Sequence, residues 1–304
     1  MSPQKRATIV ASTVAIVLTI VKFTIGVTSG SVAVLASAID SLLDTVISIF
    51  NFFAIKKSEE RATDRFQYGK GKVQAIAAVI EGTIITISGL YIIYEAMRKG
   101  INGTETTLLN PAIMVMLFSI AVTFLLVEYL LRVAKKTNNI VIKSDALHYK
   151  TDLISNGVIL LSLVLVYFTK WDIIDAIFGL GIGLYIIYSA YEIIEEGIFI
   201  LLDHALDENI VKQIKEEIDK HPSVNSHHWL KSRTDGSTNF VEFHLVLEPE
   251  MTLLEAHRIS DAIEERISKL DSKRVWIITP HYDPYDDEEM NNAIRDGKPV
   301  GEEK

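Results

Sequence analysis

The sequence predicts a polytopic α-helical membrane protein: six transmembrane helices followed by a C-terminal α+β domain of order αββαβ. Three observations carry that expectation. Six apolar stretches, residues 7–28, 32–53, 73–97, 108–133, 146–168 and 173–194, are each long enough to cross the ~30 Å hydrocarbon core, which takes about 20 residues of helix. Charge is unevenly divided: residues 1–200 carry 17 Lys+Arg and 16 Asp+Glu, and residues 201–304 carry 13 and 23, so a net of +1 gives way to −10. After residue 207 the apolar residues no longer run on but recur at helical or alternating spacing. The expected divisions are a membrane domain at 1–203, a soluble domain at 204–285 and a polar, mobile tail at 286–304.

Lys5 and Arg6 precede the first apolar stretch as in a signal peptide, but that stretch is too long for an h-region and five more follow, so it reads as a retained helix. Basic residues in the loops set the orientation. One side receives Lys5, Arg6, Lys56, Lys57, Arg61, Arg65, Lys70, Lys72, Arg132, Lys135, Lys136 and Lys143, and the other only Arg98, Lys99 and Lys170. Both termini, and with them the acidic domain, are therefore expected in the cytoplasm. Lys22, near the outer end of the first span, can snorkel to the interface. The one strongly charged region is acidic, which argues against nucleic acid as a partner. The absence of cysteine excludes disulfides, thiolate metal sites and cysteine nucleophiles.

In the C-terminal part, Asp207 is placed to cap a helix with Ile210, Ile214 and Ile218 on one face, ended by His221-Pro222. A strand is expected at 227–233, then a turn at Asp235-Gly236. A second strand follows at 239–247, where Phe240, Glu242 and His244 alternate with Val241, Phe243 and Leu245. Thr252 and Glu255 have the spacing of a capping box for a helix bearing Leu253, Ile259, Ile263 and Ile267, and 274–279 reads as the third strand. Seven of the eight histidines lie here, and no short spacing links His228, His244, His257 and His281, so by composition alone these four are surface or core groups as readily as ligands.

The polar residues inside the spans carry the functional information. Asp40 and Asp44 fall near the middle of the second span, four residues apart and so on one helical face, with Ser37, Ser48 and Asn51 extending the stripe. Each Asp at the centre of a span costs about 2.5–3.5 kcal/mol on insertion scales, more than a merely stabilising role justifies. The fifth span repeats the spacing with His148 and Asp152, beside Asp145, Ser155 and Asn156. If the two stripes face each other, they assemble three carboxylates and an imidazole. That set suits tetrahedral Zn2+, with Fe2+, Co2+, Mn2+ or Cd2+ as alternatives. Glu81, about 12 Å into the third span, reads as a helix–helix hydrogen bond or a proton carrier.

With these residues the chain resembles the cation diffusion facilitator family of divalent-metal/proton antiporters across nearly its whole length. The resemblance rests on Ser-Gly-Ser-Val-Ala-Val-Leu-Ala-Ser-Ala-Ile-Asp-Ser-Leu-Leu-Asp at 29–44, His-Tyr-Lys-Thr-Asp-Leu-Ile-Ser-Asn at 148–156 and Phe-Gly-Leu-Gly-Ile-Gly-Leu-Tyr-Ile-Ile-Tyr-Ser-Ala at 178–190. It implies that Asp40, Asp44, His148 and Asp152 form the transport site, in the His-containing version associated mainly with zinc, cadmium and sometimes iron. It implies a homodimer and a metallochaperone-like cytoplasmic domain, while the compact chain and the absence of a His-rich loop between the fourth and fifth spans point to a bacterial inner membrane. There, His228, His244, His257, His281 and Asp283 match the cytoplasmic metal-binding positions, where bound ions stabilise the dimer rather than being transported. Next to His228, Trp229 can alter that site and His227 can substitute. The resemblance also implies a charge interlock between Lys72 and Asp203.

The sequence departs from the pattern between the second and third spans. Many relatives carry a metal site there around Phe-Gly-His-Gly-Lys; here Phe66 and Lys70 replace the two histidines, and only Asp64 remains as a ligand. That site is expected to be absent. Two other classes of function compete with metal efflux. A membrane-bound metal sensor or assembly protein would need no ligands at mid-membrane, and an intramembrane metalloenzyme would need a motif such as HExxH, which the sequence lacks.

Overall fold

The computed structural model describes residues 2–29, 32–102, 110–169, 173–272 and 274–295. The chain divides into two compact units, Met1–Ile198 and Phe199–Lys304. The first is built from six long helices: α1 (Pro3–Ser29), α2 (Val32–Ser58), α3 (Val73–Asn102), α4 (Asn110–Thr137), α5 (Ile140–Thr169) and α6 (Ile173–Leu201). At 27 to 30 residues each, all six are long enough to span a bilayer. Four of them also hold strongly apolar, nearly charge-free windows among the described residues: Pro3–Ile25, Val73–Arg98, Leu117–Thr137 and Ile177–Leu201.

The polarity of α2 is inside out. Ser41, Thr45, Ser48 and Asn51 are buried, while Leu42, Leu43, Val46, Phe50 and Phe53 are exposed. In water such a helix would turn over; in lipid it has its apolar face outward and its hydrogen-bonding groups against other helices. The Thr19 and Thr45 hydroxyls meet at 3.4 Å between α1 and α2. From α1, the Lys22 ammonium also donates to the buried Ser41 hydroxyl of α2 at 2.7 Å.

Helix α3 packs against α6 through small residues. A Cβ on Gly183 would press into Ile93 and lie 2.9 Å from the Gly89 carbonyl oxygen, whereas one at Gly181 would meet nothing within 4 Å. Gly183→Val is therefore expected to cost about 1–3 kcal/mol through overpacking. Thermal melts of purified protein should show the loss, while Gly181→Ala melts like the parent.

The fifth helix begins earlier than expected, at Ile140 rather than 146. Asn138, at φ 49°, ends α4 in the left-handed conformation that asparagine tolerates, and the Asn139 side chain accepts from the Ile142 amide to start α5. A two-residue turn thus places Asp145 and His148 well inside a helix. The first half of α5, including Val141, Ile142, Ser144, Asp145, Ala146, His148 and Tyr149, is buried in the middle of the unit.

In the second unit, α7 (Glu208–Asp219), β1 (Ser226–Thr234), β2 (Thr238–Val246), α8 (Leu253–Ser268) and β3 (Val275–Asp283) give the expected αββαβ order, extended by α9 (Glu288–Arg295). The sheet runs β1-β2-β3, antiparallel then parallel. Ile214 and Ile218 of α7, and Ile259, Ile263 and Ile267 of α8, pack with Val241, Phe243 and Leu245 into one core. Asp207 caps α7, and Thr252 with Glu255 forms the capping box of α8. Thr252→Ala should lower the stability of this unit by about 1 kcal/mol, measurable by denaturant unfolding. The stretch expected as a mobile tail from 286 holds helix α9 against β1, with Asp286 accepting from the Glu288 amide at its start; residues 296–304 lie outside the described residues.

Candidate metal centres

In the first unit, α2 and α5 meet through polar groups. His148 Nε2 lies 3.0 Å from Asp44 Oδ1 and 3.6 Å from Asp152 Oδ2. One donor atom from each of the three residues lies within 4.8 Å of the others. The contact is braced by a 2.8 Å hydrogen bond between the Ser48 and Tyr149 hydroxyls, again from α2 to α5. The helical repeat sets the cluster: His148 and Asp152 share a face of α5, and Asp44 lies on the buried stripe of α2. The side chains of Ser37, Asp40 and Ser155 lie outside the described residues. Glu81 makes a helix–helix hydrogen bond, accepting from Asn51 at 3.1 Å.

The second centre lies on the sheet face opposite the core of the second unit. Register aligns His228 of β1 with His244 of β2, and His244 with His281 of β3, so three imidazoles form a row across the sheet. Their ring centroids are 4.9 and 4.6 Å apart. Asp283, on the same strand as His281, reaches His244 Nδ1 at 2.7 Å and His228 Nε2 at 3.4 Å. Asp287, which sequence reasoning missed, lies between β3 and α9 and meets His228 Nε2 at 2.8 Å. His228, His244, Asp283 and Asp287 thus place donor atoms within 4.8 Å of one another. On its other side, His228 Nδ1 faces Asp286 Oδ1 at 3.7 Å. Two imidazoles and two carboxylates, half of them sealed from water, are a donor set that could hold Zn2+.

The remaining sequence candidates fall at the edge of this cluster or outside it. His281 is exposed and contacts the second oxygen of Asp283 at 3.2 Å. His257 lies on α8, 63% exposed, beside Asp261 and away from the row. His227 turns to Asp219 at 2.8 Å. After His228, the strand bulges at Trp229, φ 54°, which separates the paths of the neighbouring side chains. The Glu288 amide and the Ser226 hydroxyl hold the Asp286 carboxyl below its usual range, fixing the turn that presents Asp287.

Lys72 precedes α3 in the first unit, and Asp203 lies in the second. Asp203 ends α6 at φ 57°, with the His204 amide bonded to the Phe199 carbonyl and the His204 ring stacked on Phe199. Its carboxylate accepts from Arg233 at 3.4 Å.

Residues 8–202 match the cation efflux transmembrane domain, and residues 206–285 match the cation efflux protein cytoplasmic domain. The chain belongs to the cation diffusion facilitator family. Cation-efflux pump FieF of Escherichia fergusonii is 34% identical over 262 residues, 86% of this chain and 87% of that protein. FieF of Citrobacter koseri is 34% identical and that of Escherichia coli 33%, over the same shares of each chain. Membership makes the protein a multi-pass transporter of the cation efflux class rather than an enzyme, with a six-helix membrane unit and a small α+β domain. It also gives both ligand clusters a family context: one lies in the transmembrane domain and the other in the cytoplasmic domain.

Proposed function

We propose that this protein exports Zn2+ from the cytoplasm in exchange for protons, by alternating access within a homodimer, with Fe2+, Cd2+, Co2+ and Mn2+ as further cargo. The convergence of Asp44, His148 and Asp152 in the membrane unit is the observation that supports this most. Asp40, four residues before Asp44, supplies the fourth ligand in this proposal. Three carboxylates and a neutral imidazole amount to −3 against a charge of +2, so the empty site holds protons and metal entry releases them.

The positive-inside distribution of Lys and Arg supports both termini, and the C-terminal unit, on the cytoplasmic side of the inner membrane. There His228, His244, Asp283 and Asp287 hold a resident Zn2+ that fixes the cytoplasmic fold, with His281 at its edge. The match to a domain named for a dimer supports the homodimer. The close α3–α6 packing supports movement of that pair as one body.

Everted membrane vesicles test direction. With an acid interior, they are expected to accumulate Zn2+ when the protein is present and to stop when an ionophore collapses the gradient. Accumulation indifferent to the ionophore, or none at all, would contradict export by proton exchange. A sensor would bind Zn2+ at its cytoplasmic residues and move none.

A further inference from the structure

Three helices of the membrane unit bring a second group of polar side chains together that the exchange just described does not use. Asn51 of α2 donates through its Nδ2 atom to Glu81 of α3 at 3.1 Å and to Asp145 of α5 at 3.4 Å. Asn51, Glu81 and Asp145 are each at most 1% exposed, and Ser144 beside Asp145 is fully buried. A single neutral amide thus serves two carboxyl groups in a place closed to water. Among the described residues, Asn51 Oδ1 and Asp145 Oδ2 find no hydrogen-bond partner, and the Ser144 hydroxyl faces the Glu81 carboxyl. Polar groups that only glue helices together pair off, because each buried acceptor left without a donor costs about 1–3 kcal/mol. Two orphaned acceptors from two helices, beside a second carboxyl from a third, are a different pattern.

We propose that Asn51, Glu81, Ser144 and Asp145 form an oxygen-only site for a divalent cation. The site lies beside the Asp44–His148–Asp152 cluster, toward the basic ends of the helices. Asn51 lies seven residues beyond Asp44, about 10 Å along α2 in the direction of Lys56 and Lys57. Asp145 lies three residues before His148, on the side of Lys143. In the observed arrangement the Asn51 amide bridges the carboxylates; turning it over presents its carbonyl oxygen and frees both carboxylates for the ion. With oxygen donors and no imidazole in the group, the site favours Mn2+, Fe2+ or Mg2+ over softer ions. It adds a waiting position one to two turns from the mid-membrane ligands. The titratable groups around it are Asp44, His148 and Tyr149, on the elements that also form the neighbouring cluster. Whether or not the protein exchanges Zn2+ for protons, cation binding at these residues can be measured independently.

The test uses Mn2+ and the full-length protein in lipid nanodiscs. In a variant lacking both other clusters (Asp44→Ala, Asp152→Ala, His244→Ala, Asp287→Ala), one Mn2+ per chain is expected, with an electron paramagnetic resonance spectrum free of nitrogen coupling. Adding Glu81→Gln and Asp145→Asn should weaken that binding at least tenfold. Nitrogen coupling, no bound Mn2+, or binding unchanged by the last two substitutions would overturn the site. Where the multiple variant does not fold, Glu81→Gln alone serves, since glutamine keeps an oxygen for the Asn51 amide. It should lower the Mn2+ stoichiometry of the otherwise intact chain by one, and an unchanged stoichiometry would assign the group to helix packing alone.

Discussion

Replacing Asp44 with alanine is expected to abolish Zn2+ flux while leaving the metal content of the C-terminal unit unchanged. Asp44 is the α2 member of the membrane cluster, 3.0 Å from His148 Nε2. Without it, the proposed site keeps only Asp40, His148 and Asp152 and loses the carboxylate that joins α2 to the imidazole. Removing a partner that orients a metal ligand costs roughly 10–100-fold in affinity or activity, and removing a ligand should cost more. The brace beside it should behave as such a partner. Tyr149→Phe breaks the hydrogen bond to Ser48 without emptying the packed space, and a loss of about tenfold in flux is expected, at the low end of that range. Flux measured alongside bound metal per chain separates the two variants from a general failure to fold.

Replacing His244 or Asp287 with alanine is expected to remove one metal ion per chain from the C-terminal unit and to lower its melting temperature by several degrees. His257→Ala should do neither, because that side chain lies on α8 apart from the row of imidazoles. A ligand at 100 times its dissociation constant stabilises the folded state by about 2.7 kcal/mol, and a variant that no longer binds loses that stabilisation. Chelation should therefore shift the melting of the parent and of His257→Ala, but not of His244→Ala or Asp287→Ala. Calorimetry with and without Zn2+ reads the difference directly. Equal dependence on His257 and Asp287 would contradict the centre described.

The membrane helices were legible in the sequence because lipid demands it: a span must satisfy its own backbone hydrogen bonds, so long apolar runs admit one structure. The polar stripe of α2 was equally plain, since Ser48 and Asn51 interrupt the run at helical spacing. Which groups they would meet was not, because Asn51 finds Glu81 only through the packing of α2 on α3. The start of α5 was misplaced because Asn138 and Asn139, which make the turn, lie in a polar stretch with no apolar periodicity.

In the C-terminal unit, alternation in β2 correctly separated Val241, Phe243 and Leu245 from Glu242 and His244. Alternation says nothing of register between strands, and register is what aligns His228, His244 and His281. Asp287 was hidden for a related reason. It sits in a run of acidic residues past the last strand, and only the Asp286 turn and helix α9 bring it back to His228. His257 illustrates the converse: a position matched through the resemblance is placed by the fold on an exposed helix face.

In the proposed exchange, metal and protons share the cluster of Asp44, His148 and Asp152. The most direct measurement records both ions at once, in proteoliposomes of purified protein with Zn2+ and pH reporters inside. An imposed pH gradient with no Zn2+ gradient should drive Zn2+ toward the acidic side while protons flow the other way, and Asp44→Ala should still both signals. Zn2+ movement without proton movement, or coupled movement that survives Asp44→Ala, would contradict the account.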